Sequence, residues 1–278
     1  MRTGVVLVQI LLQTRIITRL TPPGPAARSK GMALISLDDL EGLDNDITDD
    51  ISDDITEEQP MAEDRLLSHW QRVASTHQVS VPTEMTGPIH EMTQNSQQRE
   101  TLPYAPISSH EKMGALQYEE RLYPAGRWAC VTRADGLYEQ SISMAFMKLM
   151  RYICKENSLG RYLGMTVPVV SLIQMIEDGS GFQKSVLTGF FLPAQYQSCP
   201  PAPLDPEIQV QDWDPITVIA RPFFGTTNES TVQRQISELW EVLAESDGVR
   251  RDRYMVAVFE NPGVPQRRNE IWFLRDRI

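Results

Sequence analysis

One amphipathic helix bracketed by strands constrains this chain more than any other stretch. Between Tyr138 and Ile153, the residues Ile142, Phe146, Leu149 and Ile153 fall at i, i+4, i+7 and i+11, a single apolar face at the helical period. Met147 and Met150 flank that stripe, and Lys148 and Arg151 border it. Ahead of it, Arg127–Thr132 alternates like a strand and stops at the turn Ala134–Gly136. Behind it, Met165–Glu177 and Phe182–Leu192 read as strands joined by the Asp-Gly-Ser-Gly turn at Asp178–Gly181. The pattern then recurs. Strand Ile216–Arg221 precedes a helix over Glu229–Glu245, whose buried stripe is Val232, Ile236, Leu239, Trp240 and Leu243, and strands Tyr254–Glu260 and Glu270–Arg275 follow. Strand–helix–strand–strand, twice, predicts an α+β fold: an antiparallel sheet or distorted barrel with two long helices packed outside it.

Charge divides the chain differently. The net charge is −11, yet Gly31 to Asp64 holds thirteen Asp and Glu and no Lys or Arg; removing those thirteen from 37 leaves 24 acids against 26 bases. The acidity therefore belongs to one tail, and no basic patch suited to a phosphate backbone remains, so nucleic acid is not an expected partner. Within the tail the register DITDD-ISDD-ITEE repeats Ile47, Ile51 and Ile55, but dense like charge opposes a compact state, and 32–64 is read as disordered. Before it, Arg2, Arg15, Arg19, Arg28 and Lys30 occur with no acid until Asp38, as in a mitochondrial presequence. A secretory signal and a plain upstream extension ahead of Met32 are the other readings of residues 1–31. The apolar run Val5–Leu12 is too short to span a bilayer.

Residues 65–114 are read as a short helix plus linker. Leu66, Trp70 and Val73 share one helical face, with Leu67 and Ala74 beside it, and such a tryptophan-bearing helix docks on its own domain or on a partner. Val79 to Gly114, with its prolines and glutamines, is expected to have little regular structure. The domain proper is set at 115–278.

The chemistry-bearing residues exclude much. Cys130, Cys154 and Cys199 are odd in number and widely spaced, which argues against a disulfide framework and for a reducing compartment. No C-x-x-C, phosphate-cradling glycine loop, H-E-x-x-H or G-x-S-x-G is present, and no metal-ligand spacing occurs. All four histidines, His69, His77, His90 and His110, precede residue 115, so the domain as bounded cannot assemble a histidine-based triad or supply a histidine ligand. An enzyme is not expected.

Several short motifs in a fixed order add a further implication. YEER at Tyr118–Arg121, the helix end Leu149–Ile153, Asn157, MTVPV at Met165–Val169, Gln183-Lys184, SCPPAP at Ser198–Pro203, Ile216–Val218 and RRNEIW at Arg267–Trp272 resemble the SOUL / haem-binding protein family. The resemblance implies a pseudo-twofold distorted barrel that binds haem or protoporphyrin without catalysis, as carrier or sequestering protein, in a shallow groove beside the first domain helix. A flat apolar disc with two carboxylates on one rim calls for polarizable apolar side chains under its face and cations at its edge. Carried over by position, the resemblance implies Ser143, Phe146, Met150 and Arg151 as contacts, with Met147 beside them. The position at which a branch of the family carries a histidine ligand is Leu122 here. Where some members carry a lysine the chain reads Gly263-Val264-Pro265, and Arg267 stands nearby as a substitute cation. From the residues alone, Phe146 and Met150 are equally readable as core. The competing function is an interaction scaffold, in which the barrel, the acidic tail and the Trp70 helix engage a protein partner, in the manner of relatives linked to mitochondrial permeability and cell death. The expected location is cytoplasmic, with mitochondrial as the alternative.

Overall fold

Alternation along the strands sorts this chain into layers. The computed structural model describes residues 59–177, 181–243, 248–260 and 266–276. The reading of 1–31 therefore lies outside the described residues, and so does the disordered reading of 32–64 as far as residue 58; its last residues, 59–64, are helical instead. In chain order the elements are α1 (Gln59–Thr76), α2 (Thr86–Gln94), β1 (Arg99–Thr101), β2 (Ala105–Lys112), β3 (Ala115–Tyr123), β4 (Gly126–Arg133), α3 (Tyr138–Cys154), β5 (Met165–Val167), β6 (Val169–Gln174), β7 (Val186–Phe191), β8 (Gln209–Trp213), β9 (Ile216–Phe224), α4 (Glu229–Leu243), β10 (Val249–Val258) and β11 (Arg268–Arg275). Nine strands form one antiparallel sheet in the order β2-β3-β9-β11-β10-β6-β7-β4-β8, and β1 pairs in parallel with β5.

Period two assigns each strand residue to a face. On β4, Ala129 and Val131 oppose Trp128 and Cys130; on β10, Tyr254 and Val256 oppose Met255 and Ala257; on β11, Ile271 and Phe273 oppose Trp272. The first set meets the helices. Ala145, Leu149, Met150 and Ile153 of α3 pack with Ala129, Val131 and Phe190, while Val232, Ile236 and Leu239 of α4 pack with Ile219, Ile271 and Phe273. Burying one such large side chain contributes about 1.5–3 kcal/mol, so these two faces hold the helices on the sheet. The second set, with Tyr123, Val218 and Phe191, fills the opposite face. There Arg121, 3% exposed, donates to Glu270 Oε2 at 2.9 Å, and Trp272 Nε1 donates to the same oxygen at 2.7 Å.

This second face is wrapped by the sheet. β3 and β4 stand six places apart in the strand order, a span of roughly 29 Å if the sheet were flat. Yet only Pro124 and Ala125 join them, a connection that reaches about 11 Å at most. The sheet must therefore curl until its ends approach. The expected α+β fold with an antiparallel sheet is present, and of the distorted barrel the curl is seen but not the closure: among the described residues no ladder joins β2 or β3 to β4 or β8.

Other expectations change too. The stretch 79–114, read as linker, carries α2, β1 and β2, and β2 pairs along β3, so the sheet begins before residue 115 and includes His110. The helix around Trp70 starts at Gln59. The single strand expected over Met165–Glu177 is two, β5 and β6, separated at Pro168, which has no N–H to donate. No helix among the described residues is long and apolar enough to cross a membrane.

Candidate functional site

Side chains that satisfy its spare backbone groups hold α3 at both ends. At the start, Gln140 Oε1 accepts the Leu137 N–H at 3.2 Å and Ser141 Oγ accepts the Asp135 N–H at 3.0 Å. At the end, the buried Asn157 donates through Nδ2 to the Tyr152 carbonyl at 2.7 Å and the Arg161 carbonyl at 2.9 Å. Between those caps the helix turns one side into the sheet core, including Ala145, Leu149, Met150 and Ile153. The adjoining side, Ile142, Ser143, Phe146 and Met147, lines a cavity of about 110 Å³.

A second helix face closes that cavity. Trp70, Val73, Ala74 and His77 follow one another at i, i+3, i+4 and i+7 along and just past α1, and all four line it. The Trp70 indole lies parallel to the Phe146 ring, 7° between planes and 6.2 Å between centroids, and Phe146 in turn meets Phe190 edge-on at 5.8 Å. Met165, Val169, Ser171 and Thr188 contribute from the strands, and Phe259, Glu260, Thr227 and Arg267 close another side.

Polar groups are few and fixed. His77 Nδ1 lies 2.7 Å from Ser143 Oγ, tying the end of α1 to α3. Burial, and then the Arg267 cation, pull the His77 imidazole below its ordinary pKa, with Glu139 pulling the other way. Arg267 is 8% exposed and donates to Thr227 Oγ1 at 3.2 Å, and burial lowers its pKa. Among the described residues no group of three or more His, Cys, Asp or Glu could hold a metal ion.

Of the six residues singled out from the sequence, the structure brings Ser143, Phe146, Met147 and Arg267 to this one cavity. Met150 does not line it: the side chain is 0% exposed and belongs to the core beneath α3. Arg151 does not line it either, and its Nε donates to Glu156 Oε1 at 2.7 Å on the surface. Gly263-Val264-Pro265 lies outside the described residues. Sequence reasoning missed Trp70 and His77 as cavity residues, although the Leu66–Trp70–Val73 stripe, continued one turn, reaches His77.

A larger void of about 450 Å³ opens on the other face of the sheet, lined by Trp213, Ile216, Met255, Arg250, Arg253 and Arg275 among others. Its cations are already engaged: Arg250 and Arg253 pair with Asp252 at 3.1 and 2.8 Å, and Arg275 with Glu120 at 2.9 Å. Size alone favours this void. The match of flat aromatic, thioether and buried cation favours the cavity under α1, and those groups decide what a site can hold.

Residues 99–274 match the family described as "SOUL heme-binding protein". Heme-binding protein 1 of Mus musculus is 33% identical over 178 residues, which is 63% of this chain and 93% of that protein. Heme-binding protein 1 of Bos taurus is 32% identical over 177 residues, 63% of this chain and 92% of that protein. Heme-binding protein 2 of Homo sapiens is 30% identical over 162 residues, 57% of this chain and 78% of that protein. Trp70 and His77 both precede the matched residues.

Proposed function

Because this chain belongs to the SOUL heme-binding protein family, we propose that it binds haem or protoporphyrin without catalysis, as a carrier or sequestering protein, in the groove between α3 and α1. The observation that carries this reading is the parallel stack of Trp70 on Phe146, beside Met147 and near the buried Arg267. A flat ring already lies on the α3 face where a flat ligand would lie.

The chemistry fits a tetrapyrrole; the space, as closed, does not. About 110 Å³ is well short of the roughly 300–1,000 Å³ of small-molecule sites, so the ligand enters by lifting α1 and taking the place of the indole. Phe146, Met147 and Ile142 then bury their apolar surface against the disc, at about 1.5–3 kcal/mol per large side chain. Arg267 receives a rim carboxylate, and its burial makes that charge-assisted bond stronger than a surface pair. Met150 supports Phe146 from below rather than touching the ligand. In the same reading the two strand–helix units are halves of a pseudo-twofold barrel.

The scaffold alternative loses part of its footing, since the Trp70 ring is engaged by Phe146 within the chain. What stays with it is the acidic tail as a handle for a protein partner. The free thiols Cys130, Cys154 and Cys199 fit a reducing compartment, the cytoplasm or a mitochondrial interior.

Titration of the purified full chain with haemin and with metal-free protoporphyrin tests the reading. Both should bind, and Phe146→Glu should weaken both by at least about tenfold, the loss of one apolar contact of this size. Arg253→Glu, at the larger void, should leave both unchanged. The reverse pattern would move the site to that void, and no binding of either ligand by the parent would end the proposal.

A further inference from the structure

We propose that His77 is the iron ligand of this chain, an imidazole supplied to the groove from outside the family-matched residues. The inference rests on the groove reading above and adds a metal-binding residue to it.

Two observations converge on this ring. His77 is carried just beyond the last residue of α1, on the same stripe as Trp70, Val73 and Ala74, and it lines the cavity where the face of the disc would lie. Its Nδ1 is engaged by Ser143 Oγ at 2.7 Å, and among the described residues no other hydrogen bond reaches the ring. With the proton on Nδ1 donated to that hydroxyl, Nε2 keeps its lone pair. This is the arrangement of metal-ligating histidines, whose second nitrogen is held by an outer partner that sets tautomer and ring orientation.

The opening of α1 does not remove the ring. His77 sits on the cap, where its own N–H bonds to the Ala74 carbonyl at 2.9 Å and Gln78 turns through a positive φ of 57°. Gln140 Nε2 of α3 reaches the Gln78 carbonyl at 3.4 Å, so this corner is fastened to α3 at two points. The indole of Trp70, two turns back along α1, can leave Phe146 while the imidazole stays. Ser143 acts here as a positioning residue.

Haemin and metal-free protoporphyrin, titrated into the full chain, separate iron ligation from apolar contact. His77→Ala should abolish the histidine signature in the absorption and magnetic circular dichroism spectra of the haemin complex. It should lower haemin affinity by roughly 10- to 100-fold, as loss of a ligand or its outer partner does, while protoporphyrin affinity stays at the parent level. Added imidazole should restore the spectrum. His77→Asn, whose amide can keep the bond to Ser143 Oγ without offering a ligand nitrogen, should behave like His77→Ala and guards against a folding defect. An unchanged haemin spectrum in His77→Ala, or an equal loss of both affinities, would make His77 a structural tether and overturn the assignment while leaving the groove in place. If the parent binds neither ligand, the groove reading falls and the assignment falls with it.

Discussion

The helices α3 and α4 lie on the same face of one sheet, yet they finish their outer sides in opposite ways. On α4 the half-buried aromatic is anchored. Trp240 Nε1 donates to Tyr254 Oη at 2.9 Å, the indole meets Phe273 at 4.8 Å, and the Arg251 guanidinium covers it at 4.1 Å. On α3 the corresponding aromatic, Phe146, offers no hydrogen bond and meets the rings of Trp70 and Phe190. A hydrogen bond must be replaced when it is broken, whereas one apolar ring can be exchanged for another with little loss. The α4 side is built to stay shut. On the proposed reading, the α3 side trades partners at Phe146.

Three substitutions probe this contrast, beginning with the largest effect. Met150→Glu puts a carboxylate into a fully buried apolar site under α3 and should cost more than about 4 kcal/mol, so the thermal unfolding transition collapses or the chain fails to fold. A stable Met150→Glu variant with impaired porphyrin binding would instead put Met150 in the groove. Trp70→Ala and Trp240→Phe then form a pair. Trp70→Ala removes a stack worth about 0.5–1.5 kcal/mol that the ligand must displace, so it should lower stability and raise porphyrin affinity roughly 2- to 12-fold. Trp240→Phe forfeits one hydrogen bond, about 0.5–1.5 kcal/mol of stability, and should leave binding alone. If Trp70→Ala weakens porphyrin binding, α1 is a wall of the occupied site and not a cover that yields to it.

The smallest effect is electrostatic. Lys148 on α3 donates to Asp205 Oδ2 at 2.6 Å. Burial pushes the Asp205 carboxyl up, but the Lys148 bond and further hydrogen bonding outweigh it and hold the group below its ordinary value. A depressed folded-state pKa contributes stability above the unfolded value, near 3.9, which is lost as pH falls through the folded one. Lys148→Met should therefore destabilise the protein slightly at neutral pH, and the gap between variant and parent should narrow below about pH 4 in acid-unfolding curves. A gap that persists at low pH would trace the effect to packing instead of charge.

How much of this was legible in the sequence depended on burial. The stripes Ile142–Phe146–Leu149–Ile153 and Val232–Ile236–Leu239 announce α3 and α4 because each helix covers a full apolar side, which on α3 is shared between sheet core and cavity. β2 left no trace, since all eight of its residues are exposed and no alternation marks them. α2 was hidden by Gly87 and Pro88 in its first turn, with only Ile89 and Met92 buried. In the site, Phe146 and Met147 were separable from Met150 only once the sheet was in place. The three lie within one turn, and periodicity names a stripe without saying where core ends and groove begins. RRNEIW proved to be two motifs in one: Arg267 lines the cavity, while Glu270 and Trp272 point into the curled face.

That last division bears on how the strands find their alignment. Arg121 on β3 reaches across β9 to Glu270 on β11, and both side chains are nearly inaccessible to water. Because side chains alternate with period two, a slip of β3 or β11 by one residue would turn one member of the pair to the opposite face and leave the other with only its same-strand partner, Glu119 for Arg121 or Arg268 for Glu270. Removing one partner of a buried pair costs up to about 3–5 kcal/mol, and less here because Glu119 and Arg268 stay beside the two charges. The pair thus acts as a key in a lock: it adds little to the strength of the correct alignment and penalises the adjacent wrong ones.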